Sequence, residues 1–190
     1  DELQTLLIRL AWDSIDYGLE KHKLLSLNLA QLPAELREKR ATFVTLHRQG
    51  NLRGCIGAID PVRALAEDVV HNAHASAFRD PRFSPLKRSE YSELDLAISI
   101  LSLRDYLEFA SEEELLQKIR PGIDGLVLEE GFHCGAFLPV MWEQLPTPKV
   151  FLQNLKRKAG LPMNHWSSEI AVSRFTAEYY LTSDGPAVKH

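Results

Sequence analysis

Residues 41 to 59, "ATFVTLHRQGNLRGCIGAI", restrict the possible folds more than any other stretch. Two runs rich in Val, Ile, Thr and Phe meet at Gln49-Gly50-Asn51, where glycine and asparagine tolerate positive φ, and the pattern predicts a β-hairpin. Asp60 follows as a helix cap and Pro61 as a first helical residue. Leu65, Val69, Ala73 and Ala77 then form an apolar stripe that carries the helix to about Phe78. Pro81 and Pro85 in "RDPRFSPLKRSEYSEL" break that helix, and "LDLAISILSL" alternates as a strand.

On either side of this unit the signals are local. Leu3, Leu6, Leu7, Leu10 and Trp12 lie near one side of a helical wheel, which predicts an amphipathic helix from residue 3 to about 21. Pro33 marks a loop or short extended piece after it. Ser111 and Glu114 make a capping box ahead of a short helix, and "GLVLEEGFHCGAFLP" predicts a second hairpin turning near Glu130 and Gly131. "PKVFLQNLKRKAGL" predicts a helix stopped by Gly160, and "IAVSRFTAEYYL" a final strand. Hairpins interleaved with helices, without regular strand-helix alternation, imply an α+β fold with antiparallel sheets. The 190 residues are expected to form one domain, or two lobes sharing a core, with a disordered tail from about 183 to 190.

Charge narrows the partners. Lys and Arg number 22 against 26 Asp and Glu, a net charge of -4, whereas a nucleic-acid binder normally carries a basic excess on one face. No apolar run approaches the roughly 20 residues of a membrane span. Small molecules or proteins are therefore the expected partners, with no nucleic acid and no membrane. "DELQTLLIRLAWDSIDYGLEK" has no signal-peptide pattern, which points to the cytoplasm, where Cys55 and Cys134 are expected as free thiols.

Several residues can carry chemistry. In a regular strand over 52 to 58, Arg53, Cys55 and Gly57 share one face, so a guanidinium and a thiol become neighbours and the cation favours thiolate. Gly54 and Gly57 suit a strand that something approaches closely, and a ligand is one such thing. The competing reading is packing: cysteine is often a small buried hydrophobe, and glycines also serve bulges and helix contacts. A base for Cys55 is not adjacent in sequence. His71 and His74, three apart on the expected helix, are the candidates for proton transfer, against a default of solvated helix face. Their spacing with the cysteines matches no zinc pattern, so no metal is assigned, and no cofactor is identified. Asp80 and Arg82 sit in a proline-fixed turn that is either a carboxylate or phosphate site or a solvated turn anchored by Phe83.

"LRGCIG" at 52 to 57, "DPRFSPL" at 80 to 86, "LAISILS", "GIDGLVLEEG" and "FLPVMWEQL" followed by "FLQNLKRKAGL" together resemble the AMMECR domain family, whose bacterial members are called AmmeMemoRadiSam system protein A. The likeness runs from about residue 5 to about 180. It implies an α+β fold of two intimately connected lobes, a cytoplasmic location, and association with a Memo-like protein and a radical SAM protein. It also places a suspected site at Leu52 through Gly57 with Asp80, Pro81, Arg82 and Phe83. His74 departs from the small apolar residues usual at that point in relatives. Two functions follow. In one, Cys55 is a nucleophile activated by Arg53, with Arg82 anchoring an anionic substrate. In the other, the same surface is a non-catalytic binding module that presents a substrate or partner to the Memo-like and radical SAM proteins.

Overall fold

The turn at Gln49 and Gly50 closes the expected hairpin. β1 (Ala41–Arg48) and β2 (Asn51–Gly57) pair antiparallel, and the two residues between them have φ of 52° and 78°. Positive φ at both central positions matches the twist of the flanking strands. The computed structural model describes residues 2–182 and 185–186. The tail expected to be disordered therefore lies outside the described residues, apart from Gly185 and Pro186.

The chain divides into two compact units, one running to Leu101 and resuming at Glu178, the other spanning Ser102–Ala177. In the first, α1 (Glu2–Lys21) and the single turn α2 (Ala34–Arg37) precede the hairpin, and α3 (Leu65–Phe78) and β3 (Leu94–Leu101) follow it. With β8 (Ala177–Thr182) the strands form a sheet of order β2-β1-β3-β8, in which β1 pairs antiparallel with both β2 and β3. Val44, Leu46, Leu96 and Ile98 are fully buried with Leu7 and Ile15 of α1 and Val69 of α3. Each such side chain contributes about 1.5–3 kcal/mol by leaving water.

The second unit holds β4 (Asp105–Tyr106), α4 (Glu112–Lys118), β5 (Gly125–Glu130), β6 (His133–Phe137), α5 (Pro148–Lys158) and β7 (Ala171–Phe175), with sheet order β4-β7-β5-β6. It has its own core, in which Trp142 stacks on Phe151 at 3.9 Å and donates from Nε1 to the Asp124 carbonyl. Helices with two antiparallel sheets make the fold α+β, as expected.

Two expectations need correction. α3 begins at Leu65, with Ala64 before it and no side-chain cap; Asp60 and Pro61 do not open it. Residues 58–64 first run beside the segment that leads into β1. Ala64 bridges Lys39, the Arg63 carbonyl accepts from Arg40 N–H, and the Leu65 N–H donates to the Glu38 carbonyl, which takes the place of a cap. The final apolar run, expected as one strand, is two: β7 belongs to the second unit's sheet and β8 to the first unit's.

Candidate functional site

The site grows from β2 and the way α3 returns along it. β2 is an edge strand, and after it residues 58–64 carry the chain onward before α3 runs back. Fourteen helical residues span about 21 Å and seven strand residues about 23 Å, so the helix end comes back beside the strand rather than being carried away from it. Asp68, Asn72 and Ser76, four residues apart and buried, form the stripe of α3 that meets the sheet. The Asp68 carboxylate accepts from Thr42 N–H (2.9 Å) and Thr42 Oγ1 (2.7 Å), and Asn72 Nδ2 donates to the Thr42 carbonyl at 3.1 Å. Ser76 Oγ donates to the Val44 carbonyl at 2.7 Å and accepts from Ile56 N–H at 3.0 Å, so its hydroxyl bridges β1 and β2. A Cβ at Gly54 would collide with the Ser76 carbonyl oxygen, and one at Gly57 with the Thr42 carbonyl oxygen and the Phe43 ring. The close approach that these glycines permit is therefore the protein's own backbone and ring.

Just past α3, Asp80 closes the edge of β2 at Cys55. Its buried carboxylate accepts from Cys55 N–H at 3.0 Å, from Arg82 N–H at 3.1 Å, and from Arg82 Nε (3.1 Å) and Nη2 (2.8 Å). Arg82 Nη2 also donates to the Cys55 carbonyl at 3.3 Å. One carboxylate and one guanidinium thus satisfy both outward-facing backbone groups of Cys55, as a neighbouring strand would. The Arg82 guanidinium hydrogen-bonded to it holds the Asp80 carboxyl far below the usual carboxylate range, with the Cys55 and Arg82 N–H groups adding to the effect. The "LRGCIG" strand and the "DPRF" turn therefore meet at the Cys55 backbone, through Asp80 and Arg82.

The expected shared face of Arg53 and Cys55 is not what forms. Gly54 pairs with Leu46 but Leu52 with His47, which leaves Arg53 as an extra residue in a β-bulge. The bulge breaks the two-residue alternation. Arg53 turns to Glu90, at 2.9 Å from Nε and 3.2 Å from Nη2, and that same carboxylate takes Arg48, which alternates with the buried Leu46 and Val44. Cys55 lies across from Thr45 on the opposite face, where Thr45 Oγ1 donates to Sγ at 3.2 Å. Arg53 Nη2 also donates to the Ser84 carbonyl at 2.8 Å, while its Nη1 is buried without a hydrogen-bond partner among the described residues. The Arg53 guanidinium holds the Glu90 carboxyl below its ordinary range. Arg53 and Arg82 both stand near the Phe83 ring, at 5.7 and 5.6 Å from its centroid.

The histidines take other partners. His74, two residues before Ser76 and so about 200° round the helix, packs on Phe78 at 4.9 Å and against Gly18 of α1. Burial lowers its pKa, with the Arg79 charge adding to the effect. His71 stands 3.5 Å from Arg63 Nη2 and 3.4 Å from Asn72 Oδ1. Among the described residues, no group of three or more His, Cys, Asp or Glu is arranged to hold a metal ion. Cys55 and Cys134 are free thiols, as expected. Sequence reasoning missed Thr45, Ser76 and Glu90. The polar stripe Asp68, Asn72, Ser76 was visible at four-residue spacing, but a polar stripe ordinarily faces water.

The arrangement leaves a half-buried thiol beside a guanidinium that is fixed from behind and 54% exposed at its side chain. Comparison with known proteins agrees in extent. The AMMECR1 family model matches residues 8–180. A protein of Methanothermobacter thermautotrophicus is 38% identical, covering 95% of this chain and 94% of its own length, and one of Thermococcus onnurineus is 37% identical over 95% and 90%. The crystal structure of the uncharacterised protein PH0010 from Pyrococcus horikoshii superposes with a TM-score of 0.89 at 36% identity, covering 98% of this chain and 95% of that one. A model match that takes in both the cysteine strand and the turn that closes its edge, with relatives alike almost end to end, means that the chain belongs to the AMMECR1 family.

Proposed function

We propose that this chain is a binding module whose ligand surface is centred on Cys55 and completed by Arg82, with Gly54 and Gly57 shaping the strand and Asp80 fixing the cation. The ligand is a small molecule bearing a carboxylate or phosphate. Acting in the cytoplasm, the module presents it to the Memo-like and radical SAM proteins that the family resemblance implies. The observation that carries this reading is the exposed Arg82 side chain held by the buried Asp80 against the backbone of the cysteine residue. A guanidinium so fixed loses little freedom when it meets an anion.

The enzyme reading makes Cys55 a nucleophile and needs a base. The recorded partner of its sulfur is the Thr45 hydroxyl, while His71 and His74 are engaged by Arg63, Asn72, Phe78 and Gly18, which favours binding. Native mass spectrometry of protein purified from its own host tests both readings. A co-purifying anion that is lost in Arg82→Ala and kept in Cys55→Ser supports the binding module. Retention in Arg82→Ala removes the arginine from the site. A ligand adduct on the Cys55 sulfur, absent from Cys55→Ser, establishes the catalytic alternative.

A further inference from the structure

A pocket away from Cys55 lies where the segment following α1 passes α3. Its volume is about 320 Å³, within the range of small-ligand sites, and Leu24, Leu27, Arg63, Glu67, Val70 and His71 line it. Apolar and charged groups are both present. Arg63 Nη1 donates to Asp68 Oδ1 at 2.9 Å, and Asp68 is itself fixed by Thr42 and by Asn72 Nδ2 at 3.0 Å. A buried, fully bonded carboxylate therefore holds the Arg63 guanidinium. Arg63 Nη2 stands beside His71 Nε2, and Arg63 Nε has no hydrogen-bond partner among the described residues.

Glu67 is the unexplained member. It is half-buried, one turn before His71 on α3, and its carboxylate makes no hydrogen bond or ion pair among the described residues. A partly desolvated carboxylate without a partner, next to a fixed cation and an apolar wall, matches a ligand that carries both charges and an apolar chain.

We infer that this pocket is a binding site for a small apolar α-amino acid. Its carboxylate meets Arg63, its ammonium meets Glu67, and its side chain lies against Leu24, Leu27 and Val70, with the His71 ring at the edge of the site. The site is independent of the Cys55 surface. A free 2-keto acid of the same carbon skeleton shares the carboxylate and the apolar chain but lacks the ammonium, and so separates the contribution of Glu67.

The test is an NMR titration of the isotope-labelled full chain with leucine and, in parallel, 4-methyl-2-oxopentanoate. Each is taken to about 10 mM, where a site with a Kd near 1 mM is about nine-tenths filled. The expected result is saturable shifts at the His71 ring and the Leu24, Leu27 and Val70 methyls, with leucine bound more tightly. Glu67→Gln should weaken leucine about tenfold and leave the keto acid within twofold, the scale of one hydrogen bond to a charged group. Arg63→Lys, which keeps a cation for Asp68, should weaken both. Should Arg63→Lys unfold, the Glu67→Gln comparison still decides, because that substitution touches no bonded partner. Absence of shifts at these residues, or equal weakening of both ligands by Glu67→Gln, overturns the assignment.

Discussion

Asp80 concentrates several tasks in one side chain, since its two oxygens hold a cation and close a strand edge at the same residue. Replacing it by alanine leaves the Cys55 and Arg82 N–H groups without their acceptor and frees the Arg82 side chain; Arg82 rehydrates at little cost because it is exposed. The expected loss is about 1–3 kcal/mol, the scale of a backbone donor left without its acceptor at the half-buried Cys55, measured as a shift in the urea midpoint. Glycines sort by a similar argument. Gly50 has φ of 78° and open space around it, so Gly50→Ala costs about 1 kcal/mol in backbone strain. At Gly54 a methyl group meets the Ser76 main chain, which cannot rotate away, and Gly54→Ala should cost about 2 kcal/mol or more. Denaturation of the two variants checks the order, and a Gly54→Ala protein as stable as Gly50→Ala would refute the contact. Part of the candidate site was legible at this scale: the cysteine strand and the arginine turn were both singled out, and they meet. The facing of Arg53 was not, because Gly54 permits a bulge without requiring one and the bulge itself is set by register against β1.

For an element, the question is what its neighbours demand of it. α3 offers the sheet a polar stripe because β2 does not complete its ladder with β1 unaided, and the Ser76 hydroxyl bridges Ile56 N–H and the Val44 carbonyl. Ser76→Ala should therefore loosen the edge strand selectively. Amide hydrogen exchange is expected to speed up at Ile56 while β3, which β1 pairs along its length, stays protected. Unchanged protection at Ile56 would mean that β1 closes the gap itself. The hairpins and the extent of α1 were readable because turn chemistry and helical period are local properties. The start of α3 was not, since the pairing of residues 63–65 with residues 38–40 outweighed the cap-and-proline signal at Asp60 and Pro61. Nor was the break between β7 and β8 readable. It falls at Thr176, whose N–H donates to Ser102 Oγ at 2.8 Å and whose carbonyl accepts from Ser102 N–H, partners 74 residues away in sequence.

Acid stability is a property of the whole molecule, and three groups give it two separate windows. His74 is buried against Phe78, and burial lowers its pKa from 6.5. As pH falls below that value the unfolded chain takes up this proton before the folded one does, so the unfolded state gains and stability declines until the folded pKa is passed. Asp80 acts lower. Its pKa is depressed from 3.8 by Arg82, so its contribution is intact above that value and is lost only as pH falls beneath it. Glu90, depressed from 4.5 by Arg53, behaves in the same way just above it. The melting temperature should therefore begin to fall as pH drops below about 6.5, and fall again below about pH 4. His74→Gln, which stays neutral throughout, should flatten the first decline and leave the second; Asp80→Asn should weaken the second and leave the first. A first decline that persists in His74→Gln would mean that another histidine is responsible. In that case the buried position of His74, rather than its titration, would account for its presence on the face of α3 that meets α1.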